Sequence, residues 1–153
     1  MTEIVLPSHA NALGTIFGGQ IVSWMDIAGA ITAGRHARKI VVTASIDALH
    51  FLAPVRVGNI VHIRAAINFV GKTSMEVGIR ADAENPITGE RTHTASAYMT
   101  FVALDADGKA TGVPAYVPVS DAEKRRHAQA LIRKESRLKL AQQLKASVQS
   151  SDG

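Results

Sequence analysis

Hydrophobic and polar positions alternate with period two along several stretches in the middle of this chain. Over residues 60–70, Val61, Ile63, Ala65, Ile67 and Phe69 fall on one side, and His62, Arg64 and Asn68 on the other. Over residues 74–83, Met75, Val77 and Ile79 oppose Glu76, Arg80 and Asp82. Over residues 91–104, Tyr98, Thr100 and Val102 oppose Ala97, Met99 and Phe101. Residues 40–52 form a fourth run, long and rich in β-branched side chains. Half-polar alternation of this kind predicts antiparallel strands with one face covered. The connectors suit strand turns: residues 54–58, Gly71 with Lys72, Asn85-Pro86 with Gly89, and Asp107-Gly108.

The stretch before these strands has a different pattern. After Gly18-Gly19, the residues Ile21, Val22, Trp24, Met25, Ile27, Ala28, Ile31 and Ala33 leave no clean polar face. A helix of this composition is expected to be buried on most sides. Arg35, His36, Arg38 and Lys39 close it with the charge sign that suits a helix C-terminus. Residues 1–17 read as irregular or as a short strand, with Pro7 and Gly14 as breakers. One buried helix followed by an antiparallel meander predicts an α+β fold in which the sheet wraps around the helix. Pro114 and Pro118 mark a linker, and residues 120–149 read as a second helix. Ser120 is its cap and Glu123 stands at capping-box spacing. Leu131, Leu138, Leu140 and Leu144 are too sparse for more than surface packing. The expected organisation is a domain over residues 1–119 and a helical tail over residues 120–153.

Composition narrows the chemistry. With 153 residues, 46% of them hydrophobic, the chain can bury a real core. It has no cysteine, which excludes disulfides, a Cys-ligated zinc and a thiol nucleophile, and fits a reducing compartment. The first residues carry an acid and no basic run, so no secretory signal is expected. Residues 21–33, the most apolar stretch, are too short to span a bilayer and contain Asp26. The expected location is the cytoplasm. The net charge of +4 is uneven: residues 1–119 hold nine Lys/Arg and nine Asp/Glu, and residues 120–153 hold eight and four. The basic tail suits either an anionic partner or a solvated helix face. On a continuous helix Arg126, Arg133 and Arg137 fall near one side, where they could attract a phosphorylated ligand.

Asp26 is the acid that needs an explanation, lying mid-helix between Met25 and Ile27. An unpaired buried carboxylate costs several kcal/mol or shifts its pKa upward, and such groups gather at active sites. It can serve as general base on water or as nucleophile. Gly18 and Gly19 open the same helix, where free N–H groups and the helix dipole favour a developing oxyanion. Asn11, seven residues before Gly18, has an amide that can donate and accept, and so can orient a carbonyl and a water together. His9 and His50 are the other acid–base groups near these segments. The six histidines show no metal-ligand spacing, so no metal is expected. No GxSxG, GxxxxGK[ST] or GxGxxG motif is present, which disfavours a serine hydrolase, a P-loop NTPase and a Rossmann enzyme.

These parts together resemble the hotdog-fold acyl-CoA thioesterases, in particular the bacterial YciA-type and mammalian brain acyl-CoA hydrolase group. The resemblance rests on HANALGTIFGGQIVSWMDIAGAI, VVTASIDALHFLAPVRVGNIV, FVGKTSM and TFVALDADGKATGVP, which cover most of residues 7–114. It implies a five-stranded antiparallel sheet wrapped on one long helix, with an added short strand near the N-terminus. It implies hydrolysis of acyl-CoA to a free fatty acid and CoA. Active sites would be shared across a homodimer, so that Asp26 of one subunit faces Asn11 and Gly18 of the other, and such dimers would assemble as a trimer into a hexamer. Gly71, Lys72, Thr73 and Ser74 look like the loop that meets the pantetheine and nucleotide, and Lys72 and Arg56 would reach phosphates. His50 and Asn59 depart from the Asn and Asp expected there. CoA belongs to the substrate, so no separate cofactor is implied.

Two other readings stand beside this one. Another hotdog acyl-CoA enzyme, such as a dehydratase, wants a His–acid pair at the helix, and no His adjoins Asp26. An acyl-CoA-binding module without turnover would keep the same motifs. Nucleic-acid binding is disfavoured because seven Phe, Trp and Tyr residues provide few stacking platforms.

Overall fold

The structure, a computed structural model, describes residues 1–151. In chain order the elements are β1 (Thr2–Ile4), a single 3-10 turn (Pro7–His9), α1 (Gly18–Ala37), β2 (Ile40–Phe51), β3 (Ile60–Val70), β4 (Ser74–Glu84), β5 (Arg91–Leu104) and α2 (Asp121–Ser151). The chain divides into two compact units, Met1–Ala115 with the sheet and α1, and the remainder from Tyr116 with α2. Among the described residues no helix is long and apolar enough to cross a membrane.

The three alternating stretches and the β-branched run are strands, and all pairings are antiparallel. The inner face of the sheet is built from Val61, Ile63, Met75, Val77, Ile79, Met99 and Phe101, all buried, as the alternation predicts. The strand order β1-β3-β4-β5-β2 corrects the simple meander, since β2 pairs with β5 and not with β3. The connection from β2 to β3, residues 52–59, is long enough to cross the end of the sheet, whereas residues 71–73 turn β3 directly into β4. Periodicity locates strands but carries no information about which edges meet. Strand β2 also bends, with register shifts between Thr43 and Ser45 and between Asp47 and His50, and Ala48 lies at φ 48°. Bulges of this kind curl the edge of a sheet.

Helix α1 lies against the inner face. It approaches so closely that a Cβ on Gly29 would stand 2.7 Å from Phe101 Cζ and 2.9 Å from Ile79 Cδ1. Glycine therefore sets the separation of helix and sheet at the middle of the core. The helix is buried on most sides, as its composition predicts, but not on every side. Ile21, Trp24, Met25, Ala28, Ala33 and Ala37 are buried, but Ser23, Ile27 and Ile31 form an exposed stripe with spacing of four. One layer of sheet can cover only one side of a helix. α1 ends with Arg38 in the left-handed region, φ 54°, its N–H bonded to the Gly34 carbonyl.

In the second unit the capping box forms as expected. The Glu123 N–H donates to Ser120 Oγ, and Glu123 Oε2 accepts the N–H groups of Ser120 and Val119. Leu131, Leu138, Leu140 and Leu144 are exposed. Arg126, Arg133 and Arg137 share one side of α2, but that side is half-buried, and Arg133 and Arg137 are engaged by other groups. They are not a freely solvated basic face.

Candidate active site

The first cluster of candidate residues forms at the N-terminus of α1. Asn11 closes a turn with Gly14 at φ 74°, its N–H donating to the Thr15 carbonyl at 2.8 Å. Its side-chain Oδ1 accepts the Leu13 N–H (2.9 Å), the Thr15 N–H (3.3 Å) and the Thr15 hydroxyl (3.1 Å). This corrects the two-sided role expected of the amide. The acceptor oxygen is committed to the turn, and only the Nδ2 donor is left for a carbonyl.

The turn packs along residues 55–57. The Ile16 N–H donates to the Val55 carbonyl, the Val57 N–H to the Gly14 carbonyl, and Thr15 bridges to Arg56. Arg56 is thereby held beside the Asn11 turn. Asn59 Oδ1 accepts the Arg56 N–H at 2.9 Å, so Asn59 shapes the bend that carries Arg56. His9 is structural: its Nδ1 accepts the Leu6 N–H, and its ring stands edge-on to Trp24 with centroids 5.2 Å apart. His50 is exposed on the edge strand.

Phe17 caps α1, and its carbonyl accepts the N–H groups of Gln20 and Ile21. Gly18 and Gly19 precede these donors, so their own N–H groups lie ahead of the first intrahelical acceptor. The two glycines differ. A Cβ on Gly18 would stand 3.0 Å from Phe51 Cζ, whereas one on Gly19 would meet open space. Beside Gly18 is an open hollow of about 400 Å³, whose wall includes Thr15, Ile16, Ile21, Phe51 and Leu52.

A second cluster forms farther along α1. Asp26 is half-buried in the protomer, not sealed in the core, and its Oδ1 accepts the Thr43 hydroxyl at 2.6 Å. The exposed stripe of the helix lies next to it, which is why the expected burial does not occur. Thr43 was not among the candidates from sequence. It is one of two hydroxyl residues, with Ser45, in a run rich in β-branched side chains, and nothing in periodicity ties it to an acid seventeen residues earlier. In register, Thr43 faces Phe101 and Phe101 faces Met75, so Asp26 and Thr43 lie at the level of the β3–β4 hairpin that holds Gly71, Lys72, Thr73 and Ser74. In that hairpin the Gly71 N–H donates to the Ser74 carbonyl, and the Thr73 and Lys72 carbonyls accept the N–H groups of Ala103 and Val113.

One protomer does not bring the two clusters together. Eight residues of helix separate Gly18 from Asp26, a rise of about 12 Å. Arg56 and Lys72 lie beyond opposite ends of β3, whose length is roughly 30 Å. Among the described residues, no three His, Asp or Glu side chains gather as a metal site.

Comparison with known proteins decides the family. Residues 13–90 match the profile described as thioesterase superfamily. The chain belongs to the thioesterase superfamily. Within it, the chain is 40% identical over 122 residues to a Bacillus subtilis protein named uncharacterized acyl-CoA thioester hydrolase YkhA, covering 80% of this chain and 71% of that one. It superposes on an apo-hexameric acyl-CoA thioesterase with a TM-score of 0.89 at 43% identity, covering 92% and 90% of the two chains. It also superposes on a Staphylococcus aureus acyl-CoA hydrolase solved with butyryl coenzyme A and coenzyme A, with a TM-score of 0.88 at 34% identity over 100% and 93%. That thioesterase has also been solved with an asparagine, an aspartate or a threonine replaced by alanine. Its asparagine precedes the aspartate by fifteen positions and its threonine follows it by seventeen. Asn11, Asp26 and Thr43 have the same spacings in this thioesterase-superfamily chain.

Proposed function

We propose that this chain is an acyl-CoA thioesterase whose active site is completed by a second copy of itself. The carrying observation is the division of the candidate residues into two half-sites at different levels of one helix. Asn11, Gly18, Gly19 and Arg56 make one half; Asp26, Thr43, Gly71, Lys72, Thr73 and Ser74 make the other. A reacting carbonyl must lie within about 3–3.5 Å of its attacking group, which a spacing of about 12 Å along one helix does not provide. A two-fold arrangement that sets two α1 helices antiparallel brings the first half of one protomer to the second half of its partner.

The surface supports this pairing. Strand β2 is a sheet edge with Ile40, Val42, Ile46 and Phe51 exposed, and it adjoins the exposed Ile27 and Ile31 of α1. A twelve-residue apolar edge is a pairing surface unless it is covered. A second β2 covers it through an isologous contact. Trimerisation of such dimers into a hexamer completes the reading, supported by the hexameric assembly of similar thioesterases. A cytoplasmic location is supported by the likeness to a rat protein named cytosolic acyl coenzyme A thioester hydrolase, 34% identical over 128 residues.

In this site the thioester carbonyl lies against the Gly18 and Gly19 N–H groups and the Asn11 Nδ2. These donors hold the oxyanion that develops on attack. Thr43 holds Oδ1 of Asp26, leaving Oδ2 to take a proton from water. The water oxygen adds to the carbonyl carbon, the tetrahedral intermediate collapses, and the C–S bond breaks. The CoA sulfur leaves with the proton that Asp26 took up, and the acid is released. Arg56 and, from the partner, the Lys72 hairpin face the CoA phosphates. No redox cofactor or metal enters these steps. Release of free CoA thiol from an acyl-CoA series tests the reading. Stoichiometric acyl-CoA binding without thiol release would leave a binding module instead, and hydration of an enoyl-CoA would point to a dehydratase. A salt-dependent shift of a nucleic-acid probe would overturn the exclusion of nucleic acid.

A further inference from the structure

The stretch TFVALDADGKATGVP closes the resemblance to the family, and its residues beyond β5 belong to neither half-site. In the structure its end is a strap between the C-terminus of α1 and the β3–β4 hairpin. After β5, a turn closed by Gly108 at φ 75° sends the chain back, and Ala110 bridges to Leu104. The Thr111 N–H then donates to the Ala103 carbonyl at 2.9 Å, and the Val113 N–H donates to the Lys72 carbonyl at 3.2 Å. From the helix side, Lys39 Nζ donates to the Gly112 carbonyl at 2.6 Å. His36 Nε2 lies 2.8 Å from the Pro114 carbonyl, and because a carbonyl can only accept, that nitrogen carries the proton. Residues 112–114 are thus gripped by one side chain from the last turn of α1 and one from the residue just beyond its cap, while the N–H between those grips holds the backbone of Lys72.

We infer that Lys39 and His36 are positioning residues for the CoA-binding hairpin: through residues 112–114 they fix the backbone from which Lys72 reaches the substrate phosphates. This rests on the reading above that the hairpin meets CoA. Its chemistry is specific. Lys39 spends its charge on a carbonyl, the strap carries the constraint, and of the two lysines Lys72 alone is left for the anion. Without the grip the strap loosens, the Lys72 carbonyl loses a fixed partner, and the ammonium samples more positions. Affinity for the nucleotide part of the substrate falls, and the chemistry at Gly18 and Asp26 does not change.

The test uses the intact enzyme with two substrates of the same acyl group, acyl-CoA and acyl-pantetheine, the second lacking the nucleotide phosphates. Lys39→Met is expected to raise KM for acyl-CoA about three- to tenfold, with kcat within about twofold and acyl-pantetheine unaffected. Lys39→Arg restores KM, since a guanidinium also reaches the carbonyl. Lys72→Met raises KM for acyl-CoA alone, and adding Lys39→Met to it brings little further change, because both act through one group. If Lys72→Met leaves the preference for CoA over pantetheine intact, the reading of the hairpin itself fails. If Lys72→Met acts but Lys39→Met does not, the positioning role fails. Additive effects in the double variant would mean that Lys39 meets the phosphates directly, which also overturns it. Melting curves of each variant verify the fold, and a shared loss of kcat on both substrates would make Lys39 a structural residue only.

Discussion

Mixing two inactive variants measures whether the half-sites come from different subunits. Asp26→Asn removes the proposed base and keeps its shape; Asn11→Ala removes the proposed carbonyl donor. Each homodimer then lacks one essential group in both of its sites. In a shared-site dimer, a mixed pair has one site with both groups intact and one site lacking both. Free exchange of equal amounts makes half of all dimers mixed, so about a quarter of the wild-type sites return. If each single variant retains no more than about 1% of wild-type kcat, the expected loss for a general base, the mixture rises about 25-fold above either parent. The structure fixes the alternative outcome. Were Asn11 and Asp26 of the same protomer to serve one site, despite the rise of about 12 Å between Gly18 and Asp26, every site in the mixture would lack one group. Activity would remain at the level of the parents. The assay is thiol release on an acyl-CoA substrate, with exchange verified by native mass spectrometry of differently tagged subunits. Verified exchange with no rise in activity would refute the shared site.

Alone, Asp26→Asn is expected to lower kcat at least about 100-fold, and Thr43→Val less, since it removes one hydrogen bond to a carboxylate that water also reaches; equal losses would make Thr43 more than an orienting group. Gly29→Val drives methyl groups into Phe101 and Ile79 and is expected to cost about 1–3 kcal/mol, read from urea unfolding; unchanged stability would contradict the close approach of helix to sheet. Burial works against the Asp82 carboxylate, but hydrogen bonds from Arg64 and Arg80, and their charges, outweigh it and hold the pKa below the usual value. Its stabilising contribution is therefore complete above the unfolded pKa of about 4 and is lost as pH falls through the lower folded value. The difference in Tm between wild type and Asp82→Asn should accordingly be full at neutral pH and close only in acid below about pH 4; a difference unchanged to pH 2 would count against the ion pairs.

Much of this protein is legible in one dimension. Strand alternation depends on side chains pointing to opposite faces, so Val61, Ile63, Val77 and Ile79 declare themselves as core without reference to any partner. Helix signals are equally local: Ser120 and Glu123 meet within one turn, and the capping box forms as the spacing predicts. Asn11, Gly18 and Gly19 belong to the same kind of information, because a turn followed by a helix start is a contiguous stretch. What depends on contacts distant in sequence was not legible. The position of β2 beside β5, the approach of Thr43 to Asp26, and the grip of Lys39 on the Gly112 carbonyl each join residues whose separation leaves no periodic trace. The same holds for the exposed stripe of α1. Its composition is apolar almost all round, and the sequence does not distinguish the face that meets the protein's own sheet from the face that stays exposed. Only the tertiary arrangement separates them: a single sheet covers one side of a helix, and the Ile27–Ile31 side, which remains open, lies beside Asp26.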